Sequence, residues 1–374
     1  MHTSQRLSGF FGLLSQSTAY LFTDSGGQGY SGSTQCDAGL ACVVLNQWYS
    51  QCQTGSGTPV PPVISTSVPP VTPTQPPLPP VSSSTVAPPT ATTPPAANIP
   101  AGQLTRLSSF GSNPSNVGIF VYKPANVRPG AGLLVALHPC GGTAQQYFSS
   151  NAFRSLSDQR GFIVLYGQAP NNSNCWDIAG NATKTHNGGS DSLGVASAVR
   201  FAISDWGINP DKVFVTGTSS GAMMTNVMAG AYPELFKAGA VFAGTGFGCL
   251  VTNAPSFPPD PCAAGNKVLS AREWGNLIRA GYPGYTGAFP KMQIWHGTSD
   301  PVLNIVNFQE QVKQWTDIHG ISQTPTSTSN NTPKSGWTKT VYGTGQLEAF
   351  RGQGAGHGLP ESGTEVAAID WFGL

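Results

Sequence analysis

Short apolar runs alternate with longer helical stretches through the last two-thirds of the chain. Leu133-Leu-Val-Ala-Leu137, Lys212-Val-Phe-Val-Thr216, Met292-Gln-Ile-Trp295 and Leu347-Glu-Ala-Phe350 read as buried strands. Between them, Ser192 to Trp206, Ala222 to Ala231 and Asn304 to His319 have the length and pattern of helices. Strands and helices in alternation predict an α/β domain. One junction is unusual. The run ending at Thr216 passes into Gly217-Thr-Ser-Ser-Gly221 and then directly into a small-residue helix. Gly-x-Ser-x-Gly between a strand and a helix forces its serine into a strained turn with the hydroxyl exposed.

That context makes Ser219 a candidate nucleophile, and a serine hydroxyl needs a histidine base oriented by a carboxylate. In folds with this turn the order along the chain is serine, acid, histidine. Of the six histidines, only His296, His319 and His357 follow Ser219. His357 sits in Gly354-Ala-Gly-His357-Gly-Leu, a loop past the last strand from which a base reaches back over the sheet edge. His319 ends a helix and reads as a solvent-facing cap. His296 reads as a turn residue at the end of its strand. Asp300, in His296-Gly-Thr-Ser-Asp300-Pro, is the expected acid. Oxyanion donors are expected from the backbone N–H of Ser220 and from the loop His138-Pro-Cys140-Gly-Gly142, with Cys140 as the donor. Pro139 has no N–H to offer.

Leu137-His-Pro-Cys140, Cys175-Trp176-Asp177, His186-Asn-Gly-Gly189, Gly217 to Asn226 and Trp295 to Asp300 together resemble fungal acetylxylan esterases. These belong to carbohydrate esterase family 1, which also holds feruloyl esterases and resembles polyhydroxybutyrate depolymerases. The resemblance runs from about Leu104 to Leu374. It implies an α/β-hydrolase fold, Ser219, Asp300 and His357 as the catalytic triad, and the Cys140 and Ser220 amides as the oxyanion hole. Trp176 is a candidate lining of the acyl or sugar site, and His186 a candidate substrate contact. A core tryptophan and a turn histidine are the alternatives. The implied activity is removal of acetyl groups from xylan. Ferulate release from arabinoxylan, or polysaccharide binding without catalysis, are the other readings, and the intact triad weighs against the last.

Composition changes the picture at the N-terminus. Fifteen of the 32 prolines lie between Gln53 and Leu104, and no charged residue occurs between Asp37 and Arg106. Such a segment favours an extended spacer, and residues 54–103 are read as a Pro/Ser/Thr linker. Ahead of it, Gly26-Gly-Gln-Gly-Tyr-Ser-Gly32, Cys36, Cys42 and Asn46-Gln-Trp-Tyr-Ser-Gln-Cys52 resemble a fungal family 1 cellulose-binding module over residues 22–53. The resemblance implies a disulfide-stapled β module that binds cellulose through Phe22, Trp48 and Tyr49, with Asn46 and Gln51 as polar contacts and Cys36–Cys52 as a staple. Ser25 stands where that family has its first cysteine, which leaves Cys42 without its partner and predicts weak binding. Residues 1–21 give a short, poor signal-like segment.

Of the seven cysteines, Cys140, Cys175, Cys249 and Cys262 fall in the catalytic region, where four cysteines allow three pairings. Cys140–Cys175 and Cys249–Cys262 are the preferred pairs, the second because it ties a short loop. Sequons at Asn171, Asn181 and Asn330, with the linker and module, predict a secreted glycoprotein. With only 9% charged residues and a net charge of +1, nucleic acid is not an expected partner, whereas a neutral polysaccharide is. No apolar run reaches membrane-spanning length. No His or Cys pair has metal-ligand spacing and no nucleotide loop occurs, so neither metal nor cofactor is expected. The chain is expected to act as a monomer on acetylated xylan and cellulose.

Overall fold

The computed structural model describes residues 96, 98–171, 173–253 and 260–374, together with the backbone of three N-terminal strands. The chain divides into two units, residues 1–85 and 86–374. In the first, β1 (Asp24–Gly26), β2 (Ala41–Asn46) and β3 (Tyr49–Gln53) form an antiparallel sheet in the order β1-β3-β2. Asn46, Tyr49 and Gln51 lie on these strands. Phe22, Trp48, the Cys36–Cys52 pair, the signal-like segment and residues 54–95 of the expected linker lie outside the described residues. Ala96 and Ile99, assigned to that linker by composition, are buried in the second unit's core. The Lys123 ammonium donates to the Ala96 carbonyl there.

The second unit is built on a ten-stranded sheet. Its elements in chain order are β4 (Leu104–Leu107), β5 (Gly118–Tyr122), β6 (Leu133–Leu137), α1 (Ala144–Ser150), α2 (Phe153–Arg160) and β7 (Ile163–Gln168). Then come α3 (Asn181–Lys184), α4 (Ser190–Trp206), β8 (Val213–Thr218), α5 (Ser220–Ala231), β9 (Ala238–Phe242) and α6 (Ala271–Gly281). The last are β10 (Lys291–Gly297), α7 (Val306–His319), β11 (Ser327–Asn330), β12 (Trp337–Tyr342), β13 (Leu347–Gly352) and α8 (Thr364–Phe372). The strand order is β11-β12-β13-β10-β9-β8-β6-β7-β5-β4. From β13 to β7 the strands are parallel, and an antiparallel pair flanks this core on each side.

Strand periodicity divides the core between the two faces. Leu133, Val135 and Leu137 point into one cluster with Val213, Val215, Met292 and Ile294, while Leu134, Ala136, Phe214 and Trp295 point into the other. The first cluster is covered by α4 to α7, and the second by α1, α2 and α8. This arrangement explains why the central strands read as continuous apolar runs rather than alternating ones. It also brings the C-terminal ends of parallel strands to a single edge, where ligands bind in open α/β sheets.

His319 departs from the sequence reading. It does not face solvent but packs one turn below Trp315, with ring centroids 6.0 Å apart. Burial lowers its pKa to about 4, tempered by a hydrogen bond to the Pro290 carbonyl. Burial also lowers the pKa of His138 and of His296. All three rings are therefore harder to protonate in the folded protein than in the unfolded chain. The stabilising contribution of His319 is complete above the ordinary histidine value of about 6.5 and is lost as pH falls from there towards 4. For His319 the contribution is at most ~3 kcal/mol. Denaturant titrations at pH 7 and pH 5 are expected to show lower stability at pH 5. The deficit should be smaller by about 1 kcal/mol or more in His319→Phe. An identical deficit in that variant would contradict the assignment.

Candidate active site

The turn between β8 and α5 holds Ser219 at φ +54° and ψ −115°, a conformation non-glycine residues rarely adopt. The Ser219 N–H donates to the Phe242 carbonyl on β9 at 2.9 Å, which fixes the turn against the neighbouring strand. Gly217 and Gly221 make the turn possible. A Cβ at Gly217 would overlap the Gly221 carbonyl, and one at Gly221 would overlap the Leu137 carbonyl on β6.

The loop after β13 carries His357 back over the same edge. The structure brings Ser219, His357 and Asp300 together. His357 Nε2 lies 2.9 Å from Ser219 Oγ, and its Nδ1 lies 2.7 Å from Asp300 Oδ2. With Nδ1–H donating to the carboxylate, Nε2 is bare and accepts a hydrogen bond from the Ser219 hydroxyl. The imidazole is partly open to solvent, whereas the Asp300 side chain is fully buried. Burial by itself would raise the Asp300 pKa, yet the hydrogen bonds from His357, Leu303 and Val302 hold it below the ordinary carboxylate value. Asp300 Oδ1 accepts the Val302 and Leu303 N–H groups at 2.8 and 2.9 Å.

Two supports hold this hydrogen-bonded series, the first at the histidine read as a turn residue. His296 is completely buried, and its Nε2–H donates to the Leu303 carbonyl at 2.9 Å, pinning the turn that presents Asp300. Thr298 and Ser299 bind the histidine loop: Thr298 Oγ1 accepts from Gly354 N at 2.8 Å, and Ser299 N donates to Ala355 O at 2.9 Å. The Asp300 turn and the His357 loop are thus tied together as well as to the sheet.

Beside the serine, the loop after β6 presents Cys140. A disulfide joins it to Cys175, and a second joins Cys249 to Cys262. Gly141 N lies within hydrogen-bonding distance of the Ser173 and Asn174 carbonyls, at 3.2 and 3.1 Å. His138 accepts the Ala169 N–H through Nε2 and donates through Nδ1 to the Pro139 carbonyl. Ser220 opens α5, so its N–H has no acceptor within the helix.

Trp176 corrects an expectation. It is fully buried and presents no surface to a substrate. Its indole N–H donates to the His138 carbonyl and its backbone N–H to Ser220 Oγ, both at 3.0 Å. It braces the two loops that carry Cys140 and Ser220 from behind. His186 takes its turn reading rather than that of a substrate contact. Its Nδ1 donates to the Ala231 carbonyl at the C-terminus of α5, and its ring stacks on Tyr282 at 3.7 Å. A helix the length of α5, 12 residues and about 18 Å, separates it from Ser219, so it caps the far end of that helix. Among the described residues no group of three or more His, Cys, Asp or Glu side chains is placed to hold a metal ion. No helix among them is long and apolar enough to cross a membrane.

Residues 119–327 match the esterase PHB depolymerase family, and residues 26–49 match the fungal cellulose binding domain. An acetylxylan esterase of Coprinopsis cinerea is 62% identical over 99% of each chain. Feruloyl esterase B of Talaromyces stipitatus is 42% identical over 73% of this chain and 76% of its own. The solved structure of an acetyl xylan esterase from Aspergillus awamori superposes with a TM-score of 0.68 at 40% identity, covering 73% of this chain and 99% of that one. The chain therefore belongs to the esterase PHB depolymerase family and, within it, to the group that holds the fungal acetylxylan esterases.

Proposed function

We propose that the protein is a secreted serine esterase that removes acetyl groups from xylan, with an N-terminal module that directs it to cellulose. The observation that carries this reading is the unbroken hydrogen-bonded series Ser219–His357–Asp300 at the edge where parallel strands end. In the proposed cycle His357 Nε2 takes the Ser219 proton as Oγ attacks the acetyl carbonyl. The carbonyl oxygen becomes negative and is met by the Cys140 and Ser220 amides. The carbon–oxygen bond to the sugar then breaks, and His357 returns its proton to the departing alkoxide. An acetyl-Ser219 ester remains. Water, deprotonated by His357, attacks it, and acetate leaves as the proton returns to Oγ. Asp300 stays ionised throughout and stabilises the transient imidazolium.

The high identity to a relative named acetylxylan esterase across nearly the whole chain supports acetyl rather than feruloyl release. The test compares acetate freed from acetylated xylan with ferulate freed from methyl ferulate, each as kcat/KM. Acetate release is expected to dominate. Ferulate turnover exceeding it would replace the acetyl assignment with a feruloyl one.

A further inference from the structure

A cavity of about 240 Å³ is bounded by the Cys140 loop, α1 and the loop after His357. Its walls include Thr218, the residue before Ser219, and Leu359, whose N–H donates to the His357 carbonyl at 2.8 Å. Gly142 and Thr143, just past Cys140, form a third side. The cavity thus touches chain neighbours of the proposed nucleophile, base and oxyanion donor. It has no charged side chain in its lining. The volume lies below the ~300–1,000 Å³ of pockets for drug-sized ligands and suits a single ring.

Its polar groups divide into committed and free ones. Tyr147 Oη is paired with Thr218 Oγ1 at 3.0 Å. Asn151 donates to the Tyr147 carbonyl and accepts from Phe153 N, and Thr143 Oγ1 accepts from Gln146 N as the N-cap of α1. By contrast, the Gln146 Nε2 amide and the Ser150 hydroxyl have no hydrogen-bond partner among the described residues. They stand four positions apart on α1, one above the other on the same wall. Leu359 and Pro360 supply an apolar wall. Free donors and acceptors combined with an apolar surface match a pyranose, whose hydroxyls ring an apolar C–H face. An acetyl methyl group would leave most of the space empty, and an ionised ligand would find no counter-charge.

We propose that this cavity is the subsite for a neutral xylopyranose unit of the ester's alcohol portion, held by Gln146 and Ser150. The proposal rests on the esterase reading above and names the part of the substrate that the site grips besides the acetyl group. Gln146 and Ser150 are exposed, so replacing them removes hydrogen bonds without opening the core.

The test is calorimetric titration of xylotriose into full-length Ser219→Ala protein and into the same protein carrying Gln146→Ala and Ser150→Ala. Both share the N-terminal module, so any binding there cancels. Loss of two net hydrogen bonds is expected to weaken binding by about tenfold. Ser219→Ala with Ser150→Trp, which fills the cavity, should weaken it at least as much. In the otherwise wild-type enzyme, Gln146→Ala with Ser150→Ala should raise KM for acetylated xylo-oligosaccharides more than it lowers kcat. Equal xylotriose affinity in all three Ser219→Ala proteins overturns the subsite. A raised KM for methyl ferulate with unchanged xylotriose binding also overturns it, assigning the cavity to an aromatic acyl group. Wild-type protein that frees no acetate would instead overturn the esterase reading, since the binding comparison needs no turnover.

Discussion

Ser219→Ala is expected to lower kcat for acetate release by about a millionfold, the scale seen when a triad nucleophile is removed elsewhere. The reason is local. No other hydroxyl lies against His357 Nε2, which is 2.9 Å from Ser219 Oγ among the described residues. Without it the base can only activate water, and the remaining acceleration of ~10³–10⁴ over solution would come from the oxyanion donors and substrate binding. KM should change far less than kcat. Alanine also relaxes no cavity, since Ser219 is a small residue at the edge of the sheet, so the melting temperature should stay close to that of the wild type. Steady-state acetate assays with matched thermal melts read both quantities. A loss below a hundredfold in folded protein would point to a different nucleophile.

Asp300→Asn should cost about 10⁴-fold in kcat, and the hydrogen bonds around it say why. Oδ1 accepts two backbone N–H groups, from Val302 and Leu303. An asparagine must therefore keep its amide oxygen on that side, which turns its NH₂ towards His357 Nδ1. The imidazole would then carry its proton on Nε2, facing Ser219, and could not accept another. Asp300→Ala lacks this misdirecting donor, so it should be no more damaging than Asp300→Asn. A pH–rate profile and kcat for the two variants check the ordering. Loss under tenfold in Asp300→Asn would remove the carboxylate from the mechanism.

The parts of this site that the sequence disclosed are those tied to local grammar. A strand entering Gly217-Thr-Ser-Ser-Gly221 has few ways to fold, and the chain order then selects Asp300 and His357 from a short roster. What stayed hidden depends on contacts between distant segments. Trp176 read equally as a pocket aromatic or a core tryptophan, because nothing nearby announces that its indole will be sealed under His138. His186 shares a Gly-rich neighbourhood with active-site loops, yet it is bonded to the far end of α5. Thr298 pins the base loop through a partner 56 positions away. The antiparallel flanks were equally hard to read. β11 is Ser-Thr-Ser-Asn with every residue exposed, so hydrophobic periodicity has nothing to register.

That same polar ribbon has a bearing on behaviour in crowded settings. It forms one rim of the sheet, paired on a single side to β12. Rims with unsatisfied amides invite neighbouring molecules to dock strand against strand. Here the hydroxyl and amide side chains keep that rim hydrated and offer no greasy strip to reward such docking. Crowded copies of the protein then have little to gain from pairing rim to rim.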